Sequence, residues 1–387
     1  MTLWRRLVSG AGALPLLVAV RQGQGRLAGD DVHLRAAIAW LLQAQQAVGG
    51  DAGPGGYAHS FHLSRGWQPA YPETTGYIIP SLHRAAGFFA GDPIWADEIR
   101  ASIARAITWL THIQLSDGAF PDLAGNPQVF DTGQVLMGFN YLAEQAPELA
   151  NMNVLQRAAA WLLSVQEDDG SFRRHAYHGL PHSYYSRVGA SLITAGRITG
   201  QSAFRDAGLA NLAWTLQQQQ ANGFFNHLSF EHEAPFLHTM IYVVEGLLMG
   251  FFETRDERYL AAVMRFCEAL RQAADGQTPC SQFHADFTVA NRERCLTGVA
   301  QWAGVCLELA RLRMDERYRV AAKRAIDYLK TRQIMATQDS RLFGGLMGSD
   351  GPLGGYMRLA IPNWGLKFLI DALLANQAAG SQARGGR

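Results

Sequence analysis

Cysteine is scarce. Four occur in 387 residues, Cys267, Cys280, Cys295 and Cys306, with no C-x-x-C spacing among them. That excludes a dense disulfide framework, and in a chain this long it reads as buried free thiols in a reducing compartment. Net charge is lacking too: 34 Lys and Arg oppose 33 Asp and Glu. With no basic run, zinc-finger spacing or other nucleic-acid motif, no nucleic-acid partner is expected. No apolar run reaches the about 20 residues of a membrane span. The longest N-terminal stretch, Leu7 to Val20, lies between Trp4-Arg5-Arg6 and Arg21. It is similar to a signal-peptide core, but no small-x-small cleavage site follows. An apolar segment packed on the body of the protein, or resting on a membrane surface, is the preferred reading. The setting is then cytoplasmic with membrane association through residues 1–30, or periplasmic if that segment is a signal.

What the chain does have is an internal repeat, which decides a fold before other signals. Six times an aromatic residue precedes a polar side chain by five positions: Trp40–Gln45, Trp109–Gln114, Trp161–Gln166, Trp214–Gln219, Phe266–Arg271 and Tyr328–Gln333. The aromatics are spaced by 69, 52, 53, 52 and 62 residues. Several copies run into a turn, as in Asp117-Gly118-Ala119-Phe120, Asp169-Gly170-Ser171-Phe172 and Asn222-Gly223-Phe224. Each such helix carries a wet face of Arg, Glu, Gln and Asp. After each turn comes a run that is apolar nearly all round: Thr74 to Phe89, Thr132 to Leu142, Tyr185 to Ile198, Leu237 to Phe252, Leu296 to Leu312 and Asn363 to Leu374. Such runs are buried on every side. Six pairs of one amphipathic outer and one buried inner helix predict an all-α (α/α)6 toroid over residues 31–376. A disordered tail is expected at 377–387, rich in Ala, Gly, Ser and Arg. Prolines near inner-helix starts (Pro72, Pro181, Pro235, Pro362) suit a first turn, and Pro80 predicts a kink.

In a closed ring the six inner helices begin at one rim, so functional residues are sought there. Candidates for catalysis are Glu73, Asp131, Tyr184, Tyr185, Glu233 and His238. Candidates for substrate binding are Tyr57, His59, Trp67, Tyr71, Arg187, Arg294, Tyr356, Arg358, Asn363 and Trp364. Flat aromatics interleaved with polar groups suit sugar rings. Arg187, Arg294 and Arg358 lie in three different repeats and could meet a carboxylate in two-point fashion. Each has a plainer alternative: Thr74, Asp131 and Asn363 could be helix N-caps, and a lone rim histidine a satisfied hydrogen-bonder. Gly49 to Tyr71, Ala274 to Arg292 and Gln338 to Ile361 are long enough to be functional loops.

The Gln and Asp-Gly-Phe repeats resemble the QW-type repeats of terpenoid cyclase and protein prenyltransferase toroids. Neither Asp-x-Asp-Asp nor Asp-Asp-x-x-Asp occurs. Glu293-Arg294-Cys295 has an acid two before a cysteine, but the next inner helix starts Pro362-Asn363-Trp364 without His, so no zinc site is expected. Gly66-Trp67-Gln68-Pro69-Ala70-Tyr71-Pro72-Glu73-Thr74-Thr75-Gly76-Tyr77-Ile78, Thr297-Gly298-Val299-Ala300-Gln301, and Gly354-Gly355-Tyr356 with Pro362-Asn363-Trp364 resemble VpsJ-type polysaccharide biosynthesis proteins of bacterial exopolysaccharide clusters. That resemblance implies a glycan context. Ser183-Tyr184-Tyr185-Ser186-Arg187-Val188 and Glu231-His232-Glu233-Ala234-Pro235-Phe236-Leu237-His238 are similar to the helical domain of glucuronyl C5-epimerases.

These readings converge on a carbohydrate-active protein of exopolysaccharide biosynthesis or modification. The favoured chemistry is proton abstraction at C5 of a uronic acid, by an epimerase or a lyase. Arg187, three residues after Tyr184, would lower a phenol's pKa and make Tyr184 or Tyr185 the base, with Glu73 or Glu233 opposite. A glycoside hydrolase using two carboxylates such as Glu73 and Asp131, and a non-catalytic glycan-binding subunit of a synthase complex, are the alternatives. The expected ligand is an oligo- or polysaccharide, with other polysaccharide-biosynthesis proteins as possible partners. No cofactor is expected, a divalent cation such as calcium being left open.

Overall fold

The computed structural model describes residues 3–49, 55–231, 233–351 and 354–385, with side chains from 13 to 380. Among these it has thirteen α-helices: α1 (Leu3–Gly23), α2 (Asp30–Gln46), α3 (Pro72–Phe88), α4 (Pro93–Ile113), α5 (Val129–Gln145), α6 (Met152–Val165), α7 (Ser186–Thr199), α8 (Ser202–Gln217), α9 (Leu237–Thr254), α10 (Glu257–Ala273), α11 (Leu296–Arg313), α12 (Glu316–Arg332) and α13 (Asn363–Gly385). Five short strands accompany them: β1 (Ser60–His62), β2 (Gly66–Trp67), β3 (Gln282–Phe283), β4 (Val289–Asn291) and β5 (Ala360–Pro362). The amphipathic helices of the repeat are α2, α4, α6, α8, α10 and α12; the buried ones are α3, α5, α7, α9, α11 and α13.

The repeat's glutamine has a definite mechanical job. Gln166, just past α6, donates from Nε2 to Gly170 O in its own turn (3.0 Å) and to Ala207 O on α8 (2.9 Å). Gln114 does the same to Gly118 and to Val154 on α6, and Gln219 to Gly223 and to Ala262 on α10. Gln45 reaches Gly55 and Ser102 on α4. Gln333 reaches Gly344 and His33 on α2, tying the last repeat to the first. One side chain thus bridges the carbonyls of a turn and of the next amphipathic helix, and both protons of its own buried amide are paired. Arg271, the fifth copy, pairs with Glu268 on its own helix. The turn glycine is equally constrained. Gly170 has φ +85°, and a Cβ there would sit 2.5 Å from Ala210 O on α8, so both the left-handed conformation and the close approach require glycine.

Packing divides the chain into two compact units. The first comprises Met1–Ala70, Ser81–Ser102 and Glu293–Arg387. In it α11 packs against α12 and α13, and α13 against α2. Strands β2, β1 and β5 form one antiparallel sheet, with Phe61 opposite both Trp67 and Ile361. Ala13, Val20 and Gly23 of α1 are buried, and Gly23 O accepts from Met335 N (2.8 Å). The second unit comprises Tyr71–Pro80 and Ile103–Arg292. There α7 packs between α5 and α9, while α6, α8 and α10 back their partners α5, α7 and α9. Glycines bring the buried helices into backbone contact: a Cβ on Gly138 of α5 would lie 2.3 Å from Gly76 O of α3. One on Gly246 of α9 would lie 2.5 Å from Arg187 N at the start of α7.

One expectation is corrected. Helix α13 runs on to Gly385 instead of ending in a disordered tail at 377. Gln377-Ala378-Ala379 and Gln382-Ala383-Arg384 are good helix formers and carry it on; Gly386 and Arg387 lie outside the described residues. Pro80 lies inside α3, which continues to Phe88.

Candidate active site

The second unit gathers acids and phenols at the starts of α3, α5 and α7 and along α9. Pro72 opens α3, which puts Glu73 in its first turn and Tyr71 immediately before it. Helix α5 is capped by Gln128, whose side chain accepts from Val129 N (2.9 Å). Asp131 is therefore not an N-cap. It stands in the first turn of α5, almost fully buried, and its Oδ1 accepts from the Tyr71 hydroxyl (3.0 Å). Its Oδ2 has no hydrogen-bond partner among the described residues. The Tyr71 hydroxyl also interacts by hydrogen bonding with Glu73. Two carboxyls thus meet at one phenol.

That arrangement sets their protonation. Burial pushes Glu73 up to about 7, opposed by the hydrogen bond from Tyr71 and by the charge of Arg187. Burial, then the neighbouring Glu73 charge, holds Asp131 well above the usual carboxylate range. Glu73 keeps an edge accessible to solvent although protein surrounds it closely. The density of surrounding protein governs the desolvation, and the open edge is what a substrate would reach. The Glu73 charge raises Asp131 further, so ionising both together is disfavoured. The pair offers an acid and a base in one place.

Arg187, in the first turn of α7, is buried beside this pair. Its Nη1 is ion-paired with Glu245 of α9, and its Nε donates to Gln134 Oε1 of α5 (2.9 Å). Its guanidinium lies 4.7 Å from the Tyr242 ring centroid. The expected open fork for a substrate carboxylate is thus already engaged, by Glu245 and Gln134. Nor does Arg187 lower the phenols: burial pushes Tyr184 and Tyr185 up. Burial first, and the nearby Glu73 charge with it, favours the neutral form of both phenols near pH 7. Both rings pack on Phe130, Tyr184 edge-on at 5.3 Å and Tyr185 stacked at 5.5 Å. His238 on α9 has its ring 4.2 Å from Tyr242. Glu233 does not join them. It is exposed, and its carboxylate accepts from the backbone N–H groups of Phe230 (2.9 Å) and Glu231 (3.2 Å), so it holds its own loop.

The remaining candidates lie in the first unit. His59 stacks with Trp364 (6.4 Å between centroids), whose indole N–H donates to the Tyr356 hydroxyl (2.8 Å). Asn363 Nδ2 donates to Ala58 O (3.0 Å) and ties that loop to α13. Burial lowers His59 to about 4, so it is neutral. Tyr57 and Trp67 are corrected from binding to packing roles. Tyr57 is fully buried with its hydroxyl on Ser102 Oγ (2.7 Å), inside the Gln45 clamp. Trp67 rests on the repeat aromatic Trp40, 5.0 Å between centroids. Arg294 is anchored through backbone hydrogen bonds with Asp350, and Arg358 is exposed.

Sequence reasoning missed Gln134, Tyr242 and Glu245, all inside buried helices. Glu245 carried a usable signal: it is a charge in the apolar run Leu237 to Phe252, and a buried charge requires a partner.

Residues 94–242 match the family model of the squalene-hopene cyclase C-terminal domain. The matched stretch, under half of the chain, contains the Gln114, Gln166 and Gln219 clamps. Enfumafungin synthase of Hormonema carpetanum is 28% identical over 151 residues, 38% of this chain and 10% of that protein. The chain thus aligns with about a tenth of that relative's length. Among solved structures, an unsaturated glucuronyl hydrolase specific for heparin superposes with a TM-score of 0.69 at 18% identity, covering 91% of this chain and 98% of that one. Cellobiose 2-epimerase of Spirochaeta thermophila gives 0.64 at 15% identity, covering 89% and 94%. A D-mannose isomerase gives 0.65 at 12% identity, covering 90% and 97%. At these identities the likeness is one of fold, and the chain has the all-α (α/α)6 toroid fold that its repeat predicts.

Proposed function

We propose that the protein is a carbohydrate-active enzyme whose acid–base centre is the Glu73–Asp131 pair. The observation that carries this reading is the meeting of both carboxyls at the Tyr71 phenol, with Glu73 pushed up to about 7. A general acid or base works best when its pKa lies near the operating pH. The solved structures of similar fold include proteins named for sugar hydrolysis, epimerisation and isomerisation, and the resemblance to VpsJ-type proteins supports an exopolysaccharide context.

For a uronic acid substrate, Glu73 rather than a tyrosine would take the C5 proton, and Asp131 would hold the proton to be returned. The substrate carboxylate needs a cation in that reaction, and Arg187 supplies one only by exchanging Glu245 for the ligand. Hydrolysis of a glycosidic bond is the second reading. It is favoured by the same two carboxyls, which provide acid and base without a further cation.

The test is proton NMR in deuterated water of a panel of neutral and uronate-containing oligosaccharides, treated with wild type, Glu73→Gln and Asp131→Asn. Epimerisation exchanges deuterium at the reacting carbon, elimination yields an unsaturated uronate, and hydrolysis yields new reducing ends. Any of these in wild type, reduced at least about 100-fold in both variants, supports the reading. Undiminished turnover by Glu73→Gln sinks it, and no product from any sugar leaves the non-catalytic glycan-binding subunit.

A further inference from the structure

Between α6 and α7 lies a loop whose shape is costly. His175 and His178 both have left-handed backbones (φ +57° and +54°) without being glycine, a conformation that persists only where surroundings impose it. Between them stands Tyr177, and both of its backbone polar groups are gripped by buried side chains. Its N–H donates to the Tyr185 hydroxyl (2.9 Å), and its carbonyl accepts from His182 Nε2 (3.0 Å). Burial lowers His182 to about 4, so that ring is neutral and donates from Nε2. Its Nδ1 has no partner among the described residues. The Tyr177 ring, by contrast, is left 45% exposed. Phe230 and His178 meet it edge-on, at 5.6 and 4.1 Å, and fix its plane.

Aromatic contacts run from Phe130, next to Asp131 on α5, to Tyr184 (5.3 Å), from Tyr184 to His182 (4.6 Å, 22° between planes) and from His182 to Tyr177 (6.4 Å). They form an aromatic wall between the start of α5 and Tyr177. A strained, doubly anchored backbone that presents one flat, exposed aromatic is a built surface rather than a stray apolar residue.

Resting on the carbohydrate reading above, we propose that Tyr177 is a stacking platform for a sugar unit beyond the two that flank the acid pair of Glu73 and Asp131. It is a specificity-determining residue that selects oligosaccharides over shorter ligands. The pyranose C–H face would lie on the phenol ring, while its hydroxyls meet the Glu231–His178 pair (3.0 Å) beside it.

The experiment is a calorimetric binding titration of cellohexaose and hexagalacturonate, with cellobiose and digalacturonate as short counterparts. It uses the full chain carrying Glu73→Gln to prevent turnover, alone and with Tyr177→Ala or Tyr177→Trp. The expected result is that a hexaose binds, that Tyr177→Ala weakens it about ten-fold, as losing one aromatic contact does, and that Tyr177→Trp restores it. The matching disaccharide should bind equally with and without the Tyr177→Ala change. A hexaose that binds equally well after Tyr177→Ala overturns this inference and leaves the acid pair's role standing. If neither hexaose binds the chain with Tyr177 intact, both readings fall together.

Discussion

Replacing Glu73 by Gln should stabilise the protein in mild base and change little in acid. The argument runs through linkage. Burial raises the Glu73 pKa from 4.5 to about 7 in the folded state, so the folded chain holds a proton that the unfolded chain has released. Stability is fully present below the unfolded value and is lost as pH rises through the folded one. A displacement of that size, at 1.36 kcal/mol per pKa unit, costs roughly 3 kcal/mol above about pH 8. The substituted glutamine cannot ionise, can still accept from Tyr71, and removes the like charge that adds to burial in raising Asp131. The variant should therefore exceed wild type by roughly 2–3 kcal/mol at about pH 8 and match it near pH 4. Urea unfolding followed by far-ultraviolet circular dichroism reads this as a shift in midpoint at constant slope. Equal stabilities at both pH values would refute the reasoning, because they would mean that Glu73 ionises as an exposed carboxylate does.

Gln166→Ala should cost about 1–3 kcal/mol in the same assay by removing the two Nε2 bonds that tie the turn at Gly170 to Ala207 of α8. Arg187→Met should cost about 3–5 kcal/mol by leaving Glu245 without its buried counter-charge, and added salt should move this little because the pair is shielded from solvent. Trp161→Ala should cost about 3–5 kcal/mol, as truncations of buried aromatics like this one do; a loss below about 1 kcal/mol would remove Trp161 from the core.

The fold was legible because its device is local. Gln166 and Gly170 lie four residues apart, and the same spacing recurs at Gln114 and Gln219, so a periodic reading of the chain finds it. The site was half legible. Glu73, Tyr71 and Asp131 stand in or beside the first turns of α3 and α5, where position alone nominates them. Their partners do not: Gln134 and Glu245 are dispersed through helices whose apolar composition hides single polar residues, and only packing shows that they face one another. Position also misleads. Tyr57 and Trp67 sit in a long rim loop but fold back onto Ser102 and Trp40. The tyrosine base failed for an energetic reason, since spacing brings Arg187 near Tyr184 and says nothing of the burial that favours the neutral phenol.

The central claim is that ionising Glu73 and Asp131 together is disfavoured at neutral pH. Isotope-edited infrared or carbon-13 NMR titration of the Glu73 carboxyl, assigned by difference against Glu73→Gln, observes its proton directly. The account predicts a midpoint near 7 for Glu73, with Asp131 remaining protonated beyond the usual carboxylate range. Two midpoints below about 5, the ordinary range for Asp and Glu, would contradict it.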